Sequence, residues 1–191
     1  MRPPRPKLRR GCVALAVVTL AASAASAAPK PAQLTATFDE RDPPKEKASG
    51  CRVNFEIVDG RRSPDLVGVI DRRAIRAPAD VQAWMRAVLG GLAARGVDVQ
   101  FAAAAPGTKS ARFTLQTAWI QSTVSTYSAS VVVRLQAEGA AGAAVDRSYR
   151  GRVARTAYWS GGTGTLQSAV DGAFADALDE MAVDLKTLCA G

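Results

Sequence analysis

Arginines, carboxylates and cysteines are the residues of this chain that could do chemistry, because its 191 residues include no histidine. Histidine is the commonest general base and the commonest metal ligand in proteins. A serine–histidine–aspartate triad is therefore impossible, and three cysteines are too few for a zinc site built from cysteine alone. We expect no catalytic residues, no metal site and no cofactor, and we expect that the protein is not an enzyme.

Five arginines lie close together in the sequence, at Arg61, Arg62, Arg72, Arg73 and Arg76. A guanidinium group binds phosphates and carboxylates through paired N–H donors. We therefore predict that these arginines bind the phosphates of lipid head groups or an acidic partner. The alternative is that they are solvated loop charges.

Two patterns near the C-terminus could bind ions. Asp176, Glu180 and Asp184 lie four residues apart on one face of a predicted helix and could hold a cation, but we interpret them as a solvated helix face. Residues 161–165 (GGTGT) precede the same helix, where backbone N–H groups can hold an anion. This loop lacks the lysine of a phosphate-binding P-loop, so we interpret it as a flexible connector.

The first 27 residues have the pattern of a secretory signal peptide. Residues 1–10 are basic, residues 11–22 are apolar and uncharged, and residues 25–27 (ASA) form an A-x-A cleavage site. We predict cleavage after Ala27 and a periplasmic or secreted protein, with association with the outer membrane as an alternative location. The alternative is an uncleaved anchor, for which the apolar run is short.

The net charge is small once the signal peptide is set aside. The whole chain has a formal charge of +8, and five of its basic residues lie in residues 1–10. Without them, 20 basic residues face 17 acidic ones, a net charge of +3. This is the charge of a mildly basic soluble domain, so we expect no nucleic acid among its partners.

Two of the three cysteines remain after cleavage. Cys12 lies at the start of the apolar run, directly after Arg9-Arg10-Gly11, whereas a lipoprotein signal places its cysteine after that run, so we predict no lipid anchor. Cys51 and Cys189 are left, and two cysteines in a small exported domain usually pair. We predict a disulfide bond between the first core strand and the end of the last helix. Two buried free thiols are the alternative.

Hydrophobic periodicity predicts the elements that position these residues. Residues 28–50 are rich in proline and are predicted to be a flexible tail, with residues 33–38 able to add a short edge strand. Asp80 is the predicted N-cap of a first helix, and Gly96 is predicted to end it. The second helix covers residues 165–189. Alternating patterns predict strands at residues 51–59, 66–75 with a reversal at 71–73, 97–102, 112–123, 128–138 and 146–159.

The order of these elements indicates an α+β fold in which residues 51–191 form a single domain. Consecutive strands with short links favour an antiparallel-rich sheet, and two one-sided helices must pack on one of its faces. Trp84, Trp119 and Trp159 lie on or beside apolar stripes. We predict that all three pack in the core.

The chain also resembles the YajG-like lipoproteins of the Gram-negative cell envelope, over residues 51–188. The resemblance rests on fold signatures, namely residues 59–64 (DGRRSP), Val67-Gly68, the helix after Asp80, Gly96, residues 128–135, Tyr149, Ala169-Val170 and residues 178–181. It implies a small envelope protein with no catalytic residues to carry over. This chain departs from the family in lacking a lipobox cysteine and in having the pair Cys51 and Cys189.

Two hypotheses for the function follow. The first is an exported, non-catalytic binding or accessory component of an envelope assembly, whose partner is another envelope protein. The alternative is a lipid- or small-ligand-binding auxiliary protein of an ABC-type transport system, with peripheral contact with membrane lipid.

Overall fold

The computed structural model describes residues 29–101, 109–123, 125–138, 144–156 and 162–190. These residues form one eight-stranded sheet with two helices on one of its faces. The predicted α+β fold is therefore confirmed. The predicted signal peptide, residues 1–27, and Trp159 lie outside the described residues.

The strands are β1 (Ala32–Gln33), β2 (Cys51–Asp59), β3 (Leu66–Ile70), β4 (Arg73–Arg76), β5 (Val97–Gln100), β6 (Lys109–Thr123), β7 (Thr126–Glu138) and β8 (Ala144–Thr156). The helices are α1 (Val81–Gly90) and α2 (Thr163–Ala190), and a 3₁₀ turn (Gly91–Arg95) follows α1.

The long strand β6 organises the sheet. One edge of β6 pairs with β7 along its whole length, and β8 pairs with β7, both in antiparallel fashion. The other edge pairs with two strands in succession, β2 along residues 109–115 and β3 at Ile120, both parallel. The sheet therefore divides into two arms beside β6, one formed by β2 and β5 and the other by β3, β4 and β1. It is mixed: four of the seven strand pairings are parallel, but most of the paired residues belong to the three antiparallel pairings.

The first helical stretch begins after Asp80 and ends at Gly96 as predicted, but it consists of α1 followed by a 3₁₀ turn. The Asp80 carboxylate accepts a hydrogen bond from Ala83 N at 2.8 Å, and Gly96 adopts the left-handed conformation with φ of 82°. Between them, α-helical geometry stops at Gly90. A Cβ at Gly91 would lie 2.7 Å from the Phe38 ring, so the chain passes close to its neighbour there.

The core lies between the helices and the sheet. The apolar side of α2 covers β6, β7 and β8, and Trp84 of α1 contacts Phe174 of α2 edge to face, with ring centroids 5.2 Å apart. Gly151 of β8 lets α2 approach the sheet, because a Cβ there would lie 1.7 Å from the Ala173 carbonyl oxygen.

A β-bulge in β6 corrects the prediction for Trp119. Leu115 pairs with Val133 but Thr117 pairs with Val132, so Gln116 is an extra residue. The alternation is therefore reversed after Gln116: Ala118 and Ile120 are buried, and Trp119 is 39% exposed on the opposite face. Trp84 is fully buried, as predicted.

Residues 29–50 differ from the predicted flexible tail because they make specific contacts with the domain. Leu34 is buried, and β1 adds to β4 as a parallel edge strand, somewhat before the predicted position. Further along, Glu40 forms an ion pair with Arg95, and Glu46 forms one with Lys186. We call this stretch, residues 29–50, the N-terminal segment.

The C-terminal end of α2 is joined to the sheet. Cys51 of β2 and Cys189 of α2 form the predicted disulfide bond, with their Cα atoms 5.4 Å apart. No helix in the described part of the chain is both long enough and apolar enough to span a membrane.

Candidate functional site

The face of the sheet opposite the helices, here called the open face, is polar. One half of this face carries oppositely charged side chains that pair with each other across neighbouring strands. The three ion pairs are Arg52–Asp98, Arg112–Glu56 and Arg134–Asp146, with N–O distances of 3.0, 2.9 and 2.7 Å. These charges are mutually satisfied and leave little net charge for a ligand.

The other half of the open face is different in charge. Arg150 and Arg152 of β8 lie there with Trp119, and Arg62 lies beside them in the loop after β2. No aspartate or glutamate occurs in the strand segments of this half, which are residues 116–123, 126–133 and 148–156. We call the surface formed by Arg62, Trp119, Arg150 and Arg152 the basic half.

A cleft of about 580 Å³ opens in the basic half where the sheet divides into its two arms. The loop between β2 and β3 forms one wall and is attached to β6 by a hydrogen bond from Gly60 N to the Leu115 carbonyl oxygen at 2.9 Å. The bulged part of β6 forms the other wall. The lining residues, which define the Trp119 cleft, are Gly60, Arg61, Arg62, Ser63, Leu66, Gln116, Thr117, Ala118 and Trp119.

Arg61 is the buried charge of the Trp119 cleft, with a side chain only 3% exposed. Its Nε and Nη2 atoms both donate to the Asp59 carboxylate at 2.8 Å. Burial raises the pKa of Asp59, but the hydrogen bonds and charge of Arg61 outweigh burial and hold it below its ordinary value. The third nitrogen, Nη1, has no hydrogen-bond partner among the described residues. A buried N–H donor without a partner is costly, so Arg61 is held in this position at the expense of stability.

A second groove, of about 520 Å³, lies on the other side of Trp119. It runs over β7 to β8 and is lined by Ser128, Ser130 and Arg152 among others. Trp119 lines both hollows and separates them. The indole therefore stands in the middle of a continuous surface with an arginine on each side.

A third hollow of the open face, of about 700 Å³, lies in the half where the charges are paired. Glu56, Arg112 and Asp146 line it, and each has its ion-pair partner. The Asn54 side-chain oxygen in this hollow has no partner among the described residues. A single amide oxygen gives less basis for recognition than the exposed guanidinium of Arg62 next to an exposed indole.

The structure does not bring the five predicted arginines into one cluster. Arg61 and Arg62 line the Trp119 cleft. Arg72 and Arg73 lie at the turn between β3 and β4, at the other end of β3, where Arg73 donates to the Lys30 carbonyl oxygen. Arg76 pairs with Leu66 at the end of the β3–β4 hairpin that is opposite its turn. Only Arg61 and Arg62 are therefore carried forward as candidate binding residues.

The three acidic residues of α2 contact β8 rather than forming a cation site. Asp176 accepts a hydrogen bond from Arg152 N, and Glu180 and Asp184 both pair with Arg147. Asp184 also accepts the Tyr149 hydroxyl at 2.7 Å. Burial and this hydrogen bond both raise the pKa of Tyr149. Within the described ranges, no group of three or more histidine, cysteine or acidic side chains is placed to hold a metal.

Sequence reasoning missed three residues of the basic half: Trp119, Arg150 and Arg152. The uninterrupted alternation of its strand in the sequence predicts a core position for Trp119. Residues 147–156 of β8 contain no aspartate or glutamate, and this pattern in the sequence could have indicated that Arg150 and Arg152 lie on a basic surface.

No family model matches the chain, and no curated sequence matches it. The solved structure of an uncharacterized protein has a TM-score of 0.51 at 8% identity, covering 81% of this chain and 99% of that one. A DUF330 protein from Xanthomonas campestris gives 0.44 at 16% identity, covering 84% and 95%. A minor lipoprotein from Acinetobacter baumannii gives 0.40 at 12%, covering 72% and 93%. The first likeness shows a shared fold, and the other two carry no argument about function.

Proposed function

We propose that this protein is an exported accessory component of the cell envelope, related to the YajG-like proteins, that acts by binding another envelope protein through the basic half of its open face. The predicted signal peptide supports export. The observation that carries the binding role is the Trp119 cleft, where an exposed indole stands beside the exposed guanidinium of Arg62.

Both features are typical of protein recognition. Tryptophan and arginine are the residues most enriched among those that dominate binding energies at interfaces. An indole that is 39% exposed on a polar sheet loses apolar contact with water when a partner covers it. The charges of the other half are paired, whereas Arg62, Arg150 and Arg152 of the basic half have no ion-pair partner among the described residues.

The second candidate is a lipid- or small-ligand-binding auxiliary protein of an ABC-type transport system. The volume of the Trp119 cleft, about 580 Å³, is within the range of small-molecule sites and favours this alternative. The cleft is open to solvent along its length, however, whereas sites for small ligands bury most of the ligand surface. We therefore place the protein partner first.

Site-specific photocrosslinking in cells tests the binding role. A photoreactive amino acid is placed at Arg62 or Trp119, and the matched control places it at Val183, a 59% exposed residue of α2. We expect a discrete protein adduct from the two cleft positions that is absent from Val183. Lack of an adduct at both cleft positions, or the same adducts from Val183, would contradict the proposal.

The mass of the protein from the periplasmic fraction tests export. We expect a chain that begins at Ala28 and carries no lipid. A mass that includes residues 1–27, or a lipid adduct, would contradict the predicted processing.

A further inference from the structure

We propose that the partner presents an extended acidic segment to the basic half, with carboxylates on either side of an apolar side chain that packs on Trp119. This inference rests on the proposed binding function and names the chemistry of what is bound.

The charge of the surface selects the sign of the ligand. Arg61 is balanced by Asp59, so Arg62, Arg150 and Arg152 are the arginines of this half that have no ion-pair partner within the described chain. Asp59 and Asp65 are equally near to Arg62 in sequence, and of these two only Asp59, which pairs with Arg61, forms an ion pair. Opposite charge on a partner guides its approach and fixes its register.

The positions of the arginines select the shape of the ligand. Trp119 on β6 pairs with Ser130 on β7, which pairs with Arg152 on β8. Neighbouring strands lie about 4.8 Å apart, so the Cα atoms of Trp119 and Arg152 are about 10 Å apart. The Trp119 cleft lies on the other side of β6, one strand spacing further. About five residues of extended chain span this distance at roughly 3.3 Å per residue.

The Trp119 cleft supplies the specific contacts. A carboxylate that enters it meets the exposed guanidinium of Arg62 and the hydroxyls of Ser63 and Thr117. A second carboxylate on the other side of the indole reaches the groove lined by Arg152. Alternate side chains of an extended strand point the same way, so a carboxylate, an apolar side chain and a carboxylate at positions i, i+2 and i+4 match these three sites.

Binding to synthetic peptides tests this inference. The probe is the biotinylated, C-amidated peptide Glu-Ser-Leu-Ser-Glu, measured by surface plasmon resonance against the intact mature protein. The matched control is Gln-Ser-Leu-Ser-Gln, which has the same size and no charge. Since each exposed ion pair changes affinity by a few fold, we expect the acidic peptide to bind about fivefold more tightly or better, and to weaken as salt is added.

Variants of exposed residues locate the site. We expect Trp119→Ala to weaken binding about tenfold and Arg152→Gln about threefold. The matched control Arg52→Gln removes an exposed arginine from the half where charges are paired, and should leave the affinity unchanged. All three positions are on the surface, and circular dichroism confirms that each variant folds. Equal affinity for the acidic and amide peptides, or equal losses in all three variants, would overturn the inference.

Two further outcomes separate this inference from the proposed function. If the acidic peptide does not bind but the photocrosslinked adduct forms at Trp119, the ligand class is wrong and the binding function stands. If vesicles of phosphatidylglycerol and phosphatidylcholine bind in a Trp119-dependent manner and the peptide does not, the basic half recognises a lipid surface and the inference is overturned. Loss of both the adduct and peptide binding overturns both proposals.

Discussion

Two charged residues in the interior of this domain, Asp171 and Arg95, have opposite surroundings. Asp171 of α2 is 1% exposed and forms no ion pair with the residues that the structure describes: its carboxylate accepts hydrogen bonds from Gln167 Nε2 at 2.9 Å and Asp39 N at 3.3 Å. Burial raises the pKa of Asp171, and the nearby carboxylate of Asp39 raises it further. Together these effects outweigh the hydrogen bonds, which lower the pKa, so the pKa is raised to about 6.

The raised pKa predicts a specific pH dependence of stability. A carboxyl group whose pKa is higher in the folded than in the unfolded state stabilises most below the unfolded pKa, and this contribution is lost as pH rises through about 6. Relative to Asp171→Asn, the wild type should lose on the order of 2 kcal/mol of unfolding free energy between pH 4 and pH 7.5. Urea unfolding of both proteins across this range measures the difference. Parallel pH profiles would show that Asp171 does not titrate there.

Arg95 is also 1% exposed, but its charge is fully matched. It makes two hydrogen bonds to Glu40 at 2.8 Å and one to Asp179 at 2.7 Å, and it also donates to the carbonyl oxygens of Gly91 and Ala175. This side chain ties the N-terminal segment, the turn after α1 and α2 together. In the sequence Arg95 is an ordinary last-turn residue of a helix, so its role depends on contacts that no local pattern encodes.

Removal of Arg95 should therefore be costly. We expect Arg95→Ala to lower the unfolding free energy by about 3–5 kcal/mol, because it leaves the Glu40 carboxylate buried without a partner. The control Arg52→Ala removes an exposed ion pair and should cost less than about 1 kcal/mol. Chemical denaturation measures both. Equal losses would mean that the Glu40–Arg95 pair does not hold the segment in place.

At the scale of elements, the contact of α2 with β8 depends on one small residue. A Cβ at Gly151 would meet the backbone of α2 at three atoms, with distances of 1.7 Å to Ala173 O, 2.8 Å to Ala173 C and 2.9 Å to Ala177 N. Backbone atoms cannot move aside as a side-chain end can. The whole helix would have to shift, and its buried apolar side would lose contact with the sheet.

Two glycine-to-alanine variants test this packing. We expect Gly151→Ala to destabilise the protein by about 2 kcal/mol or more through overpacking. Gly90→Ala, at the end of α1, has no atom within 4 Å of the new Cβ and should stabilise by up to about 1 kcal/mol through helix propensity. Thermal unfolding of both variants gives the comparison. A neutral Gly151→Ala would contradict the close approach.

The elements themselves were largely predictable from the sequence, and their pairing was not. Period-two alternation located β2, β6 and β7, and Asp80 and Gly96 marked the limits of the first helical stretch. The parallel pairing of β2 and β3 with the same edge of β6 depends on distant contacts. The bulge at Gln116 inserts one residue into an otherwise regular alternation, and a one-residue shift exchanges the two faces of a strand. This shift is why the candidate site around Trp119 was missed.

At the scale of the whole molecule, the disulfide bond joins the two ends of the domain. Cys51 and Cys189 are separated by 138 residues, so the bond restricts most of the unfolded chain. The cysteine count and the signal pattern were enough to predict it. We expect the double variant Cys51→Ser with Cys189→Ser to lose about 2–5 kcal/mol of stability, by the entropy of closing a long loop. Denaturation of the oxidised wild type and the variant measures this loss, and unchanged stability would contradict it.

The two sides of the sheet differ in their residues and in their charge. One side of the sheet holds the core and is stabilised by the helices, the disulfide bond and the N-terminal segment. The opposite side is the open face. One half of it has paired charges, and the other half has unmatched arginines around Trp119. Composition predicted a mildly basic protein but not where the charge would lie, because the division depends on which strands are neighbours.

The indole N–H signals of the protein in ¹⁵N-labelled form test the central claim most directly. The acidic peptide is titrated into the protein, and the signals are assigned by replacing Trp119 and Trp84 in turn with phenylalanine. We predict that the Trp119 signal shifts with peptide concentration and that the Trp84 signal, from a fully buried side chain, does not. A Trp119 signal that stays in place while the peptide binds elsewhere would contradict the assignment of the basic half as the binding surface.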